Sequence, residues 1–463
     1  MAKKQLTIEE KLQAALVPAE EQPYKVPDNW CWVRFDVTAE LKKGPFGSSL
    51  TKAMFVPKGK DTYKVYEQGN AIRKTTQYGS YYITEAKYQE LKNFAINDGD
   101  IIVSCAGTVG ELYKLPSDCE AGVINQALMR VRVSNLVNEF YFINYFSGIM
   151  LQDVVNSSQG TAIKNIPPFK VLKSMPFPMP PQREQSRIVA RIESLFAKLD
   201  EAKEKIQEVL DGADLRRAAI LYQAFSGKLT EKWREKNDLS MIVWEEKTLQ
   251  DVCSLKITDG THKTPTYTTK EDGGIPFISA KDVTQGEICW DNIKYIIPEL
   301  HEELYSRLAP QRDDVLLAKN GTTGVAAIVD TDKVFDLYVT LAVLRPNQEI
   351  ICPRYLLRIV NSPICKRQFD EHLTGIGVPN LHLRDIKGVV IKVPSISEQQ
   401  EIVRLLDNLL TREQSTVTAC EEALTTIDTL KKSILARAFR GELGTNDPAD
   451  PSAQGLLQEI LEA

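Results

Sequence analysis

The sequence predicts an α+β chain of two similar globular domains, each followed by a long helix, with the two helices packed antiparallel as a coiled coil. Three observations predict it. From Gln182 to Leu229 apolar residues recur at steps of three and four (Ile188, Ile192, Leu195, Leu199, Ala202, Ile206, Val209, Ala213), the seam of a helix that packs on another helix. The same stretch returns 214 residues later, with 14 identities in 48 ungapped positions, where ordinary residue usage supplies about 3. The texture before each helix also repeats: short β-rich runs broken by Gly, Pro and Asn. Two copies of one unit imply pseudo-twofold symmetry inside one chain, and a period of 214 is too long for a solenoid.

Residues 1–26 form an N-terminal extension with a short amphipathic helix near Thr7–Leu16. A frayed terminal helix is its simplest reading, although Leu12, Ala15 and Leu16 repeat the spacing of Leu221, Ala224 and Phe225. The first domain occupies 27–181, with strands expected in WCWVRF, YKVYEQ, GDIIVSCAG and ALMRVRV, and a helical piece over 137–156. The run PFPMPP (Pro176–Pro181) then reads as a boundary, because proline cannot continue a paired strand. The first helical region is 182–238; its helix of roughly 40–45 residues would span about 60–68 Å. Gly212 is a soft point in it and Gly227 a stop. The second domain occupies 239–395, the second helical region 396–445 and a polar tail 446–463. The second seam (Ile402, Leu406, Leu409, Ile427, Ile434) is poorer, because Glu413 and Thr416 replace Leu199 and Ala202.

Composition narrows the function. The chain is 43% hydrophobic and 26% charged, and its apolar runs are far short of a membrane span. Eight scattered cysteines without a CxxC pair, and four histidines without zinc spacing, point to a reduced, cytoplasmic protein with no structural metal. Net charge is −5, and the acidity concentrates in 396–463, where 6 basic residues face 12 acidic ones. No GxxxxGK[ST] loop is present. NIPPF (Asn165–Phe169) resembles the Asn-Pro-Pro-Phe loop of amino-methyltransferases, but Ile166 interrupts it and no cofactor loop precedes it. GTVG and GTTG, at matching positions after a strand, are turns rather than phosphate cradles.

What remains is a recognition pattern. LKKGPFGSSLTK (Leu41–Lys52) and LKITDGTHKTP (Leu255–Pro265) begin at matching positions, and NAIRKTTQYGSYY and SAKDVTQGE follow them. These are the side chains that bond phosphates and base edges. The expected DNA-binding residues are Lys42, Lys43, Ser48, Ser49, Asn70, Arg73, Lys74 and Gln77 in the first domain. In the second they are Thr258, Asp259, Thr261, His262, Lys263, Thr264, Lys281, Lys319 and Asn320. Different polar loops at equivalent points of one scaffold suit two sites that read two different things. A coiled-coil scaffold that binds proteins and no DNA is the alternative.

The sequence resembles a specificity subunit of a type I restriction–modification system over essentially its whole length. The resemblance rests on the domain–helix–domain–helix repeat, on PPQREQ and SISEQQ at the helix starts, on AFSGKLTEKWR and ARAFRGEL at the helix ends, and on DGTHKTP. It departs in continuing the second helix end as GTNDP and in the extension before Trp30. The resemblance implies two target-recognition domains, each reading one half of a split, asymmetric DNA target, with the coiled coil fixing the gap. It implies a non-catalytic role in host defence and DNA methylation. Two methyltransferase subunits would carry S-adenosylmethionine and flip the target adenine, and motor-nuclease subunits would carry ATP and magnesium. This chain itself would bind no cofactor and meet no membrane.

Overall fold

The computed structural model describes residues 7–151, 166–239, 244–284, 286–373 and 379–463. It divides into two compact units: Met1–Lys205 with Ala423–Ala463, and Ile206–Glu422. Neither long helix belongs to one unit. Each begins on its own globular domain and ends in the other unit, so a unit holds one domain, the start of the helix that follows it and the end of the other helix.

Both domains are built on the same sheets. In the first, a four-stranded antiparallel sheet has the order Ala39–Lys43, Leu128–Val133, Ile101–Ser104, Leu112–Lys114. In the second the order is Thr258–Asp259, Leu341–Leu344, Val315–Ala318, Ala326–Ile328. The central strands Ile101–Ser104 and Val315–Ala318 are buried along their whole length, as strands covered on both faces must be. A second sheet in each domain joins one parallel strand to antiparallel neighbours: Gly122–Ile124 beside Thr62–Tyr66, and Asp336–Leu337 beside Ile275–Ile278.

PFPMPP is not only a boundary. Pro176–Met179 is a strand paired antiparallel with Cys31–Arg34 in a two-stranded sheet, with Pro178 opposite Trp32 and Pro176 opposite Arg34. With one partner only, the strand can turn the proline nitrogens away from the ladder. Val390–Val393 makes the equivalent pair with Glu245–Thr248. The helical piece expected over 137–156 runs as Glu139–Tyr145 and a wider turn, Phe146–Met150; its remainder from 152 lies outside the described residues, as does Asn165 of NIPPF.

The first long helix is continuous over Gln182–Asp211, breaks at Gly212 and resumes over Ala213–Phe225. Arg216 supports the break: its guanidinium donates to Val209 O at 2.7 Å and grips the Glu413 carboxylate at 2.9 Å. The second helix, Ile396–Ala438, is unbroken. The paired stretches run antiparallel in both units. Asp200 pairs with Lys431 and Glu184 with Asn446 in one; Arg216 pairs with Glu413 and Thr230 with Glu398 in the other. Ile188, Ile192, Ile402, Leu406 and Ile427 are buried, whereas Leu195, Leu199, Ile206, Leu409 and Ile434 are half-buried. Val209, which the spacing put in the seam, is exposed. Two helices alone cover less of each other than a helix lying on a domain.

The repeated Glu-Gln pair at each helix start holds each unit together. Gln185 accepts from Asn138 N at 2.7 Å and donates to Pro180 O at 3.0 Å; Gln399 accepts from Cys352 N at 2.7 Å and donates to Pro394 O at 2.8 Å. Buried Glu184 accepts from the Trp30 indole at 2.7 Å and from Asn446 at 2.8 Å. Burial pushes its carboxyl above the usual range, against the pull of Trp30, Asn446 and Arg187. Glu398 accepts from Trp244 at 3.1 Å, Thr230 at 2.7 Å and Arg234 at 2.6 Å. Each helix then ends on a left-handed glycine, Gly227 or Gly441, just after a buried Phe. Phe225 packs edge-on against Tyr355 and Phe439 against Tyr141, with centroids 5.5 and 5.2 Å apart.

The N-terminal helix is not frayed. Ile8–Ala15 starts with a Thr7–Glu10 capping box, buries Ala15 and packs on the C-terminal helix Ala453–Glu462, where Lys11 donates to Leu461 O at 3.2 Å.

Candidate nucleic-acid interface

In each domain the buried central strand runs out into a glycine turn around which the polar loops gather. The turns contain Gly107 and Gly110, and Gly321 and Gly324, all at positive φ, where glycine carries no steric penalty.

In the second domain, the DGTHKTP loop leaves strand Thr258–Asp259 and is pinned from several sides. Thr261 N donates to Leu337 O at 2.9 Å, and Val339 N to Thr261 O at 3.0 Å. Arg307 donates to Asp259 O at 2.9 Å and Gly260 O at 2.8 Å. The buried Asp259 carboxylate lies 2.9 Å from Lys319 Nζ, itself buried, and 3.3 Å from His262 Nε2. Thr322 donates to Ala280 O at 3.2 Å, which ties the segment carrying Lys281 to the same turn. The nine expected residues of this domain therefore divide into two sets. Thr258, Asp259, Thr261 and Lys319 form the frame, with Asn320 half-buried and bridged to Asn380. His262, Lys263, Thr264 and Lys281 are exposed. Lys263 pairs with Glu303, an exposed pair.

In the first domain Lys43 and Ser48 are exposed and Lys42 and Ser49 half-buried; Lys42 Nζ lies 5.3 Å from the Phe94 ring centre. Asn70 is fully buried. Its side chain accepts from Glu67 N at 2.8 Å and donates to Thr75 O at 2.9 Å and Tyr78 O at 3.0 Å, so it shapes the following loop from within. That loop presents Arg73, stacked 4.8 Å over Tyr78, and Gln77. Lys74, at left-handed φ, pairs with Glu111 at 2.7 Å. Asn125 abuts Gly44 through its carbonyl and donates its N–H to Tyr66 O, at the end of strand Thr62–Tyr66, at 3.0 Å.

The two frames differ at the end of the central strand. Lys319 stands 214 residues after Cys105, and both carbonyls accept from the segment beyond the helical piece, at 2.8 Å from Leu381 N and 3.1 Å from Ile166 N. The first domain thus has a buried thiol, pushed up to about 12 by its burial, where the second has a buried ammonium.

Gly260 admits no side chain. A Cβ there would sit 2.1 Å from Leu337 O and 2.5 Å from Tyr338 O, both backbone atoms. Gly260→Ala is therefore expected to displace the loop and loosen the second domain while leaving the first unchanged. Amide hydrogen exchange of the two domains checks this.

Among the described residues no three His, Cys, Asp or Glu side chains gather to hold a metal. No helix among them is long and apolar enough to cross a membrane.

Comparison with known proteins gives a consistent result. The family model described as "Type I restriction modification DNA specificity domain" matches twice, over residues 48–211 and 241–421. The chain is 26% identical over 365 residues to the type I restriction enzyme EcoBI specificity subunit of Escherichia coli, covering 74% of this chain and 75% of that one. To the EcoKI specificity subunit of E. coli strain K12 it is 25% identical over 465 aligned positions, 94% and 96% of the two chains. Among solved structures, the HsdS subunit from Thermoanaerobacter tengcongensis shares the fold with a TM-score of 0.59 at 20% identity, over 91% of this chain and 99% of that one. A chain from a study of type I R-M complex assembly has a TM-score of 0.63 at 20% identity, over 91% and 100%.

Proposed function

The chain belongs to the type I restriction–modification DNA specificity family, and from that premise we propose that each domain reads one half of a bipartite, asymmetric double-stranded DNA target. The observation that carries this reading is the pair of loop clusters at equivalent places on one repeated scaffold. One presents Lys43, Ser48, Arg73 and Gln77, the other His262, Lys263, Thr264 and Lys281. Two chemistries on one frame read two sequences. The frame residues Asn70, Asp259, Thr261 and Lys319 hold the readers in position, and the exposed residues contact phosphates and base edges.

The coiled coil sets the gap between half-sites and docks two methyltransferase subunits, for which Leu215 (75% exposed) and Tyr222 (57%) supply apolar contact surface. Those subunits bring S-adenosylmethionine and the adenine methylation chemistry; motor-nuclease subunits, with ATP and magnesium, join through them. This chain supplies the address.

With a net charge of −5, the free chain neutralises few phosphates. It is expected to bind DNA weakly and with a shallow salt dependence, and the methyltransferase complex to bind tightly with a steeper one. Fluorescence anisotropy of both across a salt series tests this. Equal affinity and equal slope contradict the division of labour, and absence of DNA binding in either form favours a protein-only scaffold.

A further inference from the structure

Among the described residues, the most exposed large apolar side chain is Phe46, at 87%. A single exposed apolar residue is ordinary; the setting of this one is not. The turn that carries it is held on both sides. Gly44 N donates to Leu128 O at 2.9 Å, and its Cα approaches the chain so closely that a Cβ would lie 1.8 Å from Asn125 O. Pro45 is buried, and Ser49 N donates back to Phe46 O at 2.9 Å. A phenyl ring on so constrained a turn is kept in water rather than left there by slack.

The second domain has the same device. Gly260 N donates to Leu341 O at 3.3 Å, and a Cβ there would lie 2.1 Å from Leu337 O. Two residues beyond that glycine stands His262, with a side chain 69% exposed; two residues beyond Gly44 stands Phe46. The close-approach glycines make these two side chains counterparts. The 214 offset hides this by setting Phe46 against Gly260. Around Phe46 the chain is basic: residues 41–60 hold five lysines and no acidic residue, which suits a phosphate-lined partner and not an apolar protein groove.

We propose that Phe46 is a specificity-determining residue of the first domain, reading the 5-methyl group of a thymine in the major groove. This rests on the DNA-reading function proposed above. A phenyl ring makes no hydrogen bond to a base edge, and the thymine methyl is the apolar feature that the major groove offers. His262, by contrast, reads by hydrogen bonds, so the two halves of the target differ in the kind of contact at this point.

The test uses the chain in complex with its methyltransferase subunit and duplexes of its target in which thymines of the first half-site are replaced by uracil one at a time. Uracil removes the methyl and keeps every hydrogen bond. One position is expected to slow methylation by the wild-type complex about fourfold, the worth of one buried methyl-sized group. The Phe46→Ala complex is expected to be slower on the unmodified target and indifferent to that uracil, while Phe46→Leu keeps the sensitivity. Equal uracil profiles for wild type and Phe46→Ala overturn the proposal, as does loss of methyltransferase co-elution by Phe46→Ala. A wild-type complex that modifies no fixed two-part sequence refutes the DNA-reading function itself; a normal wild-type target with an unaltered Phe46→Ala profile refutes only the role of Phe46.

Discussion

Glu398→Ala is expected to be among the most destabilising single substitutions in the chain, at about 3–5 kcal/mol. The Glu398 and Arg234 side chains are each only 4% exposed and lie 2.6 Å apart. Removing the carboxylate leaves a buried guanidinium that still donates to Gly227 O and to Thr230 Oγ1 but has lost its counter-charge. It also leaves the Trp244 indole and the Thr230 hydroxyl without this acceptor. Among the described residues, the hydrogen-bond donors to the equivalent Glu184 are neutral: Trp30, Asn446 and Thr445. The cost of Glu184→Ala is that of unsatisfied polar groups, about 1–3 kcal/mol. Urea unfolding followed by tryptophan fluorescence compares the two variants, since both units carry tryptophans. Equal midpoint shifts for both variants would refute the special weight given to the Glu398–Arg234 pair.

The second large effect is on reading. Lys319→Met keeps roughly the volume of the side chain but leaves the Asp259 carboxylate buried without its ammonium. Breaking such a pair costs about 3 kcal/mol, and the DGTHKTP loop, free to open to water, is the part that yields. Discrimination at the second half-site is expected to fall on the order of a hundredfold, with the first half-site read as before. Thermal unfolding measured alongside separates this from global loss of the unit. Discrimination regained in the double variant Asp259→Leu/Lys319→Met would locate the fault in loop placement, whereas undiminished discrimination in Lys319→Met would contradict it.

Much of the architecture was legible because a duplication writes it twice. The 214-residue offset, the seam positions and the stop glycines Gly227 and Gly441 each signalled an element that the structure contains. Other features were hidden for physical reasons. The strand Pro176–Met179 pairs with a segment some 145 residues earlier, and no local signal overrides its prolines. Asp259, Lys319 and Asn70 look solvated in a polar run, yet each is buried: Asp259 and Lys319 are each other's partners from distant parts of the chain, and Asn70 is enclosed by the backbone of Thr75 and Tyr78 in its own loop. Phe46 is hidden because an ungapped comparison sets it against Gly260; the contacts of Gly44 and Gly260 reveal the two-residue shift. The polar loops are legible as a pattern, but which of their residues are buried and which exposed is fixed by the fold.

The most direct test of the central claim is modified-base sequencing of DNA from cells co-expressing this chain with its methyltransferase subunit. The account predicts methylated adenine at a single two-part sequence with a fixed gap, and a change in one half only when residues 27–181 are exchanged for those of a relative. No modification from a complex that is stable on gel filtration, or a change in both halves after the exchange, would contradict it.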